Sequence, residues 1–215
     1  MGKSIFKDGV LENKKVTVKR YNSIEHGDIS KISSIVLHRT AGSKASSSLN
    51  AYAAGQKTGA HFLIGEKGVI YQTASLEKQC WHVGKLYSRC VNERSCPADE
   101  LKTINAILHE KGVSFSSRTT NLSRHEVKKS YPLRYPSNKD SIGVEVVGRF
   151  NVVSSTFEKP SNSQFISMKW LVSELISHFS LELKKDVYAH GVIARKKEAE
   201  GAQLLEYLLK GAVTS

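Results

Sequence analysis

The chain has 215 residues, 40% of them apolar, 24% charged and 8% aromatic, with only 4 Pro. That is enough core for one generous domain or one domain with an insertion; it excludes disordered and collagen-like chains, and no apolar run approaches the ~20 residues of a membrane helix. Lys and Arg outnumber Asp and Glu by 12 (32 against 20), which favours an anionic partner such as nucleic acid, lipid headgroups or an acidic wall polymer.

Met1–Asp8 is charged but has no apolar segment of signal-peptide length, so synthesis in the cytoplasm without general export is expected. Residues 1–30 are polar, alternate weakly over Val10–Val18, and read as an N-terminal arm able to add an edge strand. Residues 31–212 read as the domain proper. Ile32–His38, β-branched and apolar, predicts a buried strand that ends at His38 and opens into the small-residue loop Thr40–Ser43. A short helix is expected over about Ser47–Ala54, capped by Ser46 or Ser47. His61–Gly65 and Gly68–Thr73, joined through Glu66-Lys67-Gly68, predict a hairpin.

Residues 86–140 are hydrophilic and read as an insertion with one helix, about Ala98–Lys111, on which Leu101, Ile104 and Leu108 share a face. Ile142–Gly148 predicts a second central strand, apolar except for Glu145. Asn162–Leu181 carries the strongest helical pattern, with Phe165, Met168, Val172, Leu175 and Phe179 in phase behind a Ser-Asn-Ser cap. Val187–Ala189 predicts a short strand delivering His190; a polar loop then runs to Gly201, and Ala202–Lys210 closes the chain as a helix. Alternating strands and helices place the chain in the α/β class, one sheet between helices. Cys80, Cys90 and Cys96 contain no C-x-x-C pair. Unpaired thiols are the default in a cytosolic product, although Cys90 and Cys96 share a loop and can pair in an oxidising compartment.

His38, His61, His82, Glu145 and His190 each lie in or beside an apolar run, where a polar group needs a partner. Singly, each is most simply a hydrogen-bonded structural residue. Together, strand-end His38 and His190 suit metal ligands held by rigid elements. A catalytic zinc site takes a third protein ligand, and with no cysteine near His190 a carboxylate, Glu198 or Glu200, is expected. Glu145 is the natural proton acceptor; the competing reading is a carboxylate on the sheet's polar face.

Five motifs in order, Ile35–Gly42, Ala60–Ile64 with Gly68–Gln72, Trp81–Gly84, Ile142–Glu145, and His190 with a lysine and an acid before Gly201, resemble the zinc-dependent N-acetylmuramoyl-L-alanine amidases. That family is related to peptidoglycan recognition proteins and phage lysozyme-type amidases. The resemblance implies a central mixed β-sheet flanked by helices and hydrolysis of the amide between N-acetylmuramic acid and L-alanine of the stem peptide. By position it implies zinc on His38, His190 and an acid, Glu145 as catalytic glutamate, and Lys196 or Lys197 at the oxyanion. Glu200 is favoured over Glu198 because the following helix pins its backbone. His61 is expected either to orient its surroundings or to meet substrate, and Trp81 and His82 either to meet substrate or to pack. The phage-type tyrosine before the His61 motif is replaced by Ala60, which puts the weight on Glu145.

Peptidoglycan is the implied substrate. Nucleic acid is not expected, because the basic residues are dispersed and match no recognition motif. Three settings stay open: a released lysin, an injected antibacterial effector opposed by an immunity or inhibitor protein, and a cytosolic recycling amidase. The first two act on the wall from the periplasm or outside.

Overall fold

The computed structural model describes residues 4–197 and 199–213. The chain opens with β1 (Ile5–Lys7), β2 (Val10–Glu12) and β3 (Val16–Val18), then β4 (Ser34–Ala41) and helix α1 (Ala45–Ala53). β5 (Phe62–Ile64) and β6 (Ile70–Gln72) follow, and then α2 (Arg89–Asn92), α3 (Ala98–Leu108) and α4 (Phe115–Glu126). The last part holds β7 (Ser141–Asn151), β8 (Thr156–Phe157), α5 (Asn162–Phe179), α6 (Leu183–Asp186), β9 (Val187–Ala189), α7 (His190–Ile193) and α8 (Ala202–Val213). Strand order in the main sheet is β3-β6-β5-β7-β4-β9, with β8 on the end of β7. The β5–β6 and β7–β8 pairs are antiparallel and the others parallel, a mixed sheet.

Alternation along the two central strands separates two faces. Ile35 and Leu37 of β4 and Ile142, Val144 and Val146 of β7 pack with Phe165, Met168, Leu171, Val172 and Leu175 of α5 and Leu204 and Leu208 of α8. α5 starts where Ser161 and Gln164 form a reciprocal capping box, and it stops at Ser180, which adopts the left-handed conformation (φ 54°). On the other face α1 covers only part of the sheet, through Ala45 and Leu49 against Leu63 and Val147. Val36 is covered instead by Val83, Leu86, Tyr135, Ile193 and Ala194. The space between these two covers is the cleft described below.

Several elements depart from the sequence expectation. β4 runs past His38 to Ala41, with an irregularity after Arg39. α1 begins at Ala45, and its N-cap Lys44 gives no side-chain bond. The Glu66 carboxylate, from the β5–β6 turn, accepts the Ala45 N–H at 3.0 Å instead. The N-terminal arm does add the expected edge strand, β3 beside β6, and Leu11 before it is fully enclosed in the main core. Residues 86–140 carry three helices rather than one. On α3 Ile104 is enclosed, while Leu101 is 41% exposed. The unexpected α4 is tied to α3 by His125 on Glu100 (2.8 Å) and by Lys129, which reaches both Glu100 and Glu126. A disulfide joins Cys90 to Cys96, while Cys80 is a buried free thiol. Among the described residues no helix is long and apolar enough to cross a membrane.

Candidate active site

Backbone pairing delivers the polar residues to one place. β4 and β7 run parallel with His38 opposite Glu145, and residues level with one another on adjacent strands project to the same face. Both side chains therefore leave the sheet on the side away from α5. β9 pairs along the other edge of β4 with Leu37 opposite Ala189, which brings His190, the next residue, beside His38. Glu200 returns to the same point because the Gly191 N–H donates to the Glu200 carbonyl at 3.0 Å, closing the intervening loop on itself.

Three side-chain atoms converge there. His38 Nδ1 lies 2.8 Å from His190 Nδ1 and 3.4 Å from Glu200 Oε1, and His190 Nδ1 lies 2.8 Å from Glu200 Oε1. Neighbouring carbonyls set where the hydrogens are. Val83 O is 2.6 Å from His190 Nε2; a carbonyl only accepts, so Nε2 donates and neutral His190 presents a lone pair at Nδ1. Ser141 O is 3.3 Å from His82 Nε2, which makes that nitrogen a donor and leaves His82 Nδ1 to accept from His38 Nε2 at 3.0 Å. His38 Nδ1 is then a bare lone pair as well. Burial, with His190 alongside, holds His38 down to about 4.

Two lone pairs and a carboxylate oxygen at these distances repel one another unless a proton or a metal ion lies between them. Two imidazole nitrogens and one carboxylate are the donor set of a catalytic divalent site, in which tetrahedral ligand atoms stand about 3.4 Å apart. The residues fit a metal ion by chemistry, with two of the three separations at 2.8 Å, shorter than in such a site, and the hydrogen bonds at their far nitrogens are those that orient metal-bound histidines. The other group of histidine and carboxylates among the described residues, Glu100, His125 and Glu126, already has the Lys129 ammonium between its carboxylates.

Glu145 stands beside this centre. Its Oε2 accepts from the Tyr52 hydroxyl at 3.0 Å, and its Oε1 accepts from no described residue. Burial raises the carboxyl to about 7, outweighing the Tyr52 bond, which lowers it. Tyr52, 2% exposed, is itself held neutral by burial and by Glu145, so its hydroxyl keeps the proton it donates to the carboxylate. The centre and Glu145 form part of the wall of a 630 Å³ cleft.

The remaining predicted residues separate. Lys196 is exposed on the cleft wall, near enough for its charge to act on both His38 and Glu145. The Lys197 ammonium is held 3.4 Å from the centroid of the Phe150 ring. Glu198 lies outside the described residues. Trp81 lines the cleft, 48% exposed, stacked on His26 at 3.7 Å. His82 reaches the cleft wall, but its ring nitrogens are engaged by His38 and Ser141; it steadies a neighbour more than it meets a substrate. Gly143 makes room for it, since a Cβ there would stand 2.9 Å from the His82 ring. The expectation that His61 meets substrate is corrected. It is fully buried, its Nε2 donates to Lys78 O at 2.8 Å and its Nδ1 accepts from Gly143 N at 3.0 Å, so both nitrogens join backbone segments.

Sequence reasoning missed Tyr52, which shares the buried face of α1 with Ala45 and Leu49 and reads as core. It also missed Asn138, whose Oδ1 accepts the His82 and Val83 N–H groups at 3.0 and 2.9 Å and so fixes the backbone of the carbonyl that orients His190.

Fold and site together define an α/β protein with a potential His-His-carboxylate metal centre on one face of the sheet and a strand-borne glutamate at its side. The sequence pattern of the N-acetylmuramoyl-L-alanine amidase family matches residues 28–202, and the chain belongs to that family. No curated protein sequence matches it. Among solved structures it is similar to a selenomethionine derivative of AmpD, at 16% identity over 89% of each chain with TM-score 0.51. It is also similar to PlyL, at 14% identity over 92% of this chain and 91% of that one, TM-score 0.51. AmpDH3 from Pseudomonas aeruginosa matches at 19% identity over 84% of this chain and 59% of its own, TM-score 0.53. At these identities the likeness establishes a shared fold.

Proposed function

We propose that this protein is a zinc-dependent peptidoglycan amidase that hydrolyses the bond between N-acetylmuramic acid and L-alanine of the stem peptide. The observation that carries the reading is the convergence of His38 Nδ1, His190 Nδ1 and Glu200 Oε1, with both imidazoles oriented from behind so that their lone pairs face inward. These three residues would hold the ion. When bound, zinc supplies Lewis acidity toward the scissile carbonyl and a nucleophile at neutral pH.

Glu145 takes the proton of the attacking water and returns it to the departing amine. Its carboxyl, raised by burial to about 7, has the affinity needed for both transfers near neutrality. Tyr52 holds one carboxylate oxygen and leaves the other to the reaction. Lys196 supplies positive charge to the oxyanion, a contribution of the kind worth about 3–4 kcal/mol per donor. Trp81 offers an exposed ring for sugar or peptide.

Of the three biological settings, attack on the wall as a lysin or injected effector is preferred to recycling. The Cys90–Cys96 pair suits an oxidising compartment, and a net charge of +12 favours dwelling on an acidic polymer. Digestion of whole sacculi and of small anhydro-muropeptides by the zinc-loaded protein, read by mass analysis, tests both levels. Release of free stem peptides from sacculi is expected; cleavage of the small substrates alone would move the role to recycling, and cleavage of neither would end the amidase reading.

A further inference from the structure

Beyond Lys196 the cleft continues into a second groove of 420 Å³. Gly84 and Lys196 line both cavities, and the second is otherwise walled by Lys85, Arg195 and the first turn of α4. Its construction follows from a short antiparallel bridge. Leu86 pairs with Ala194, the Arg195 N–H donates to Lys85 O and the Tyr87 N–H donates to Ile193 O, each at 2.9 Å. Leu86 and Ala194 are buried, so alternation turns Lys85 and Arg195 outward together. Arg195 lies 4.4 Å from the centroid of Phe115 and 5.7 Å from that of Tyr87, while Lys85 Nζ donates to Ser116 O at 3.2 Å. Phe115 itself is 60% exposed.

Like charges placed opposite each other on paired strands repel. Here two stand side by side, a third follows at Lys196, and among the described residues no carboxylate lines the groove to offset them. An anion bound between them would remove that cost, and the Phe115 ring would hold an apolar body beside it. We infer that Lys85, Arg195 and Phe115 form a subsite for the carboxylate-bearing stem peptide of the substrate, with α4 of the 86–140 segment as its outer wall. The inference rests on the amidase reading and deepens it. The N-acetylated sugars carry no charge for three cations to meet, whereas the peptide carries several carboxylates, so the peptide lies towards α4 and the glycan along the opposite arm of the cleft.

The test compares two synthetic muramoyl stem peptides, one with free carboxylates and one with the same groups amidated. KM for the amidated substrate should exceed that for the free acid by roughly tenfold, as expected for losing one hydrogen-bonded charge contact. In the Lys85→Gln, Arg195→Gln double variant, shown by circular dichroism to be folded, that preference should fall towards unity. Equal handling of the two substrates by the unaltered protein, or a variant that keeps the preference, would overturn the subsite. Calorimetric binding of the two free stem peptides needs no turnover. If the protein cleaves neither substrate yet binds the acidic peptide more tightly than its amide, the amidase reading fails and the subsite stands. Equal binding removes the subsite whatever the activity.

Discussion

His38 and Glu145 stand opposite each other on two parallel strands, so a single backbone register sets the separation between a potential metal ligand and the proposed proton acceptor. A slip of β7 by one residue would send Glu145 to the α5 face and leave His38 alone on the other. The pairing continues from Ser34 opposite Ser141 to Arg39 opposite Val146, and the buried Ile35, Leu37, Ile142 and Val144 hold it there.

Glu145→Gln preserves side-chain shape and the Tyr52 contact but removes the basic oxygen. Turnover should fall by about 10²–10⁴-fold, the usual worth of general acid–base catalysis, with zinc content unchanged. Near-normal kcat in the metal-loaded variant would make Glu145 a structural carboxylate.

His38→Ala and Glu200→Ala each remove one of three convergent ligand atoms, so both should strip the metal and abolish activity while the protein stays folded. Elemental analysis should give close to one zinc per unaltered chain, and activity should return when zinc is restored after chelation. Glu198→Ala should keep the metal; losing it there and retaining it in Glu200→Ala would transfer the ligand role to Glu198.

The acid side of the pH profile should report Glu145. The carboxyl is neutral below its pKa, raised by burial to about 7 in the metal-free chain, so kcat/KM should drop about tenfold per unit once pH falls below it. A bound cation moves that limb to lower pH. Tyr52→Phe removes the hydrogen bond that lowers the Glu145 pKa and should move the limb to higher pH; an unmoved limb would separate Tyr52 from the base.

His61→Leu leaves the Gly143 N–H and the Lys78 carbonyl without their side-chain partner inside the protein. At about 1–3 kcal/mol for each unsatisfied buried group, the loss of stability should be roughly 2–6 kcal/mol in chemical denaturation. KM at a temperature where the variant is folded should barely change, and a large rise in KM without loss of stability would restore a substrate-facing role.

The main elements were legible from their apolar pattern. β4 and β7 are near-continuous apolar runs buried on both faces, α5 places its apolar residues at helical spacing, and two of the family motifs run along the strands. α4 was not, since its sequence Phe115–Glu126 is polar nearly throughout and encloses only Thr119, Leu122 and Glu126. Its helical state depends on packing against α3 and on the Ser114 cap, which a short amphipathic pattern does not reveal. In the site, polar residues set in or beside apolar runs were readable one by one, whereas the link from Ser141 through His82 to His38 joins positions far apart in sequence and required the fold. Glu200 could be preferred over Glu198 because the final helix begins just after it and pins its backbone; the structure adds that Gly201 between them has φ +82°, where a Cβ would collide with the Leu37 carbonyl.

The enclosure of Cys80 bears on how the chain meets oxidants. Three thiols allow three pairings, but Cys80 lies at 0% exposure among Ile24, Tyr52 and Ala74, its thiol pushed up by burial. A thiol that is neither reachable nor ionised is a poor nucleophile for disulfide exchange. Once folded, the chain has one internal disulfide open to it, Cys90 with Cys96, and Cys80 is shielded from mixed disulfides with small thiols or with neighbouring molecules.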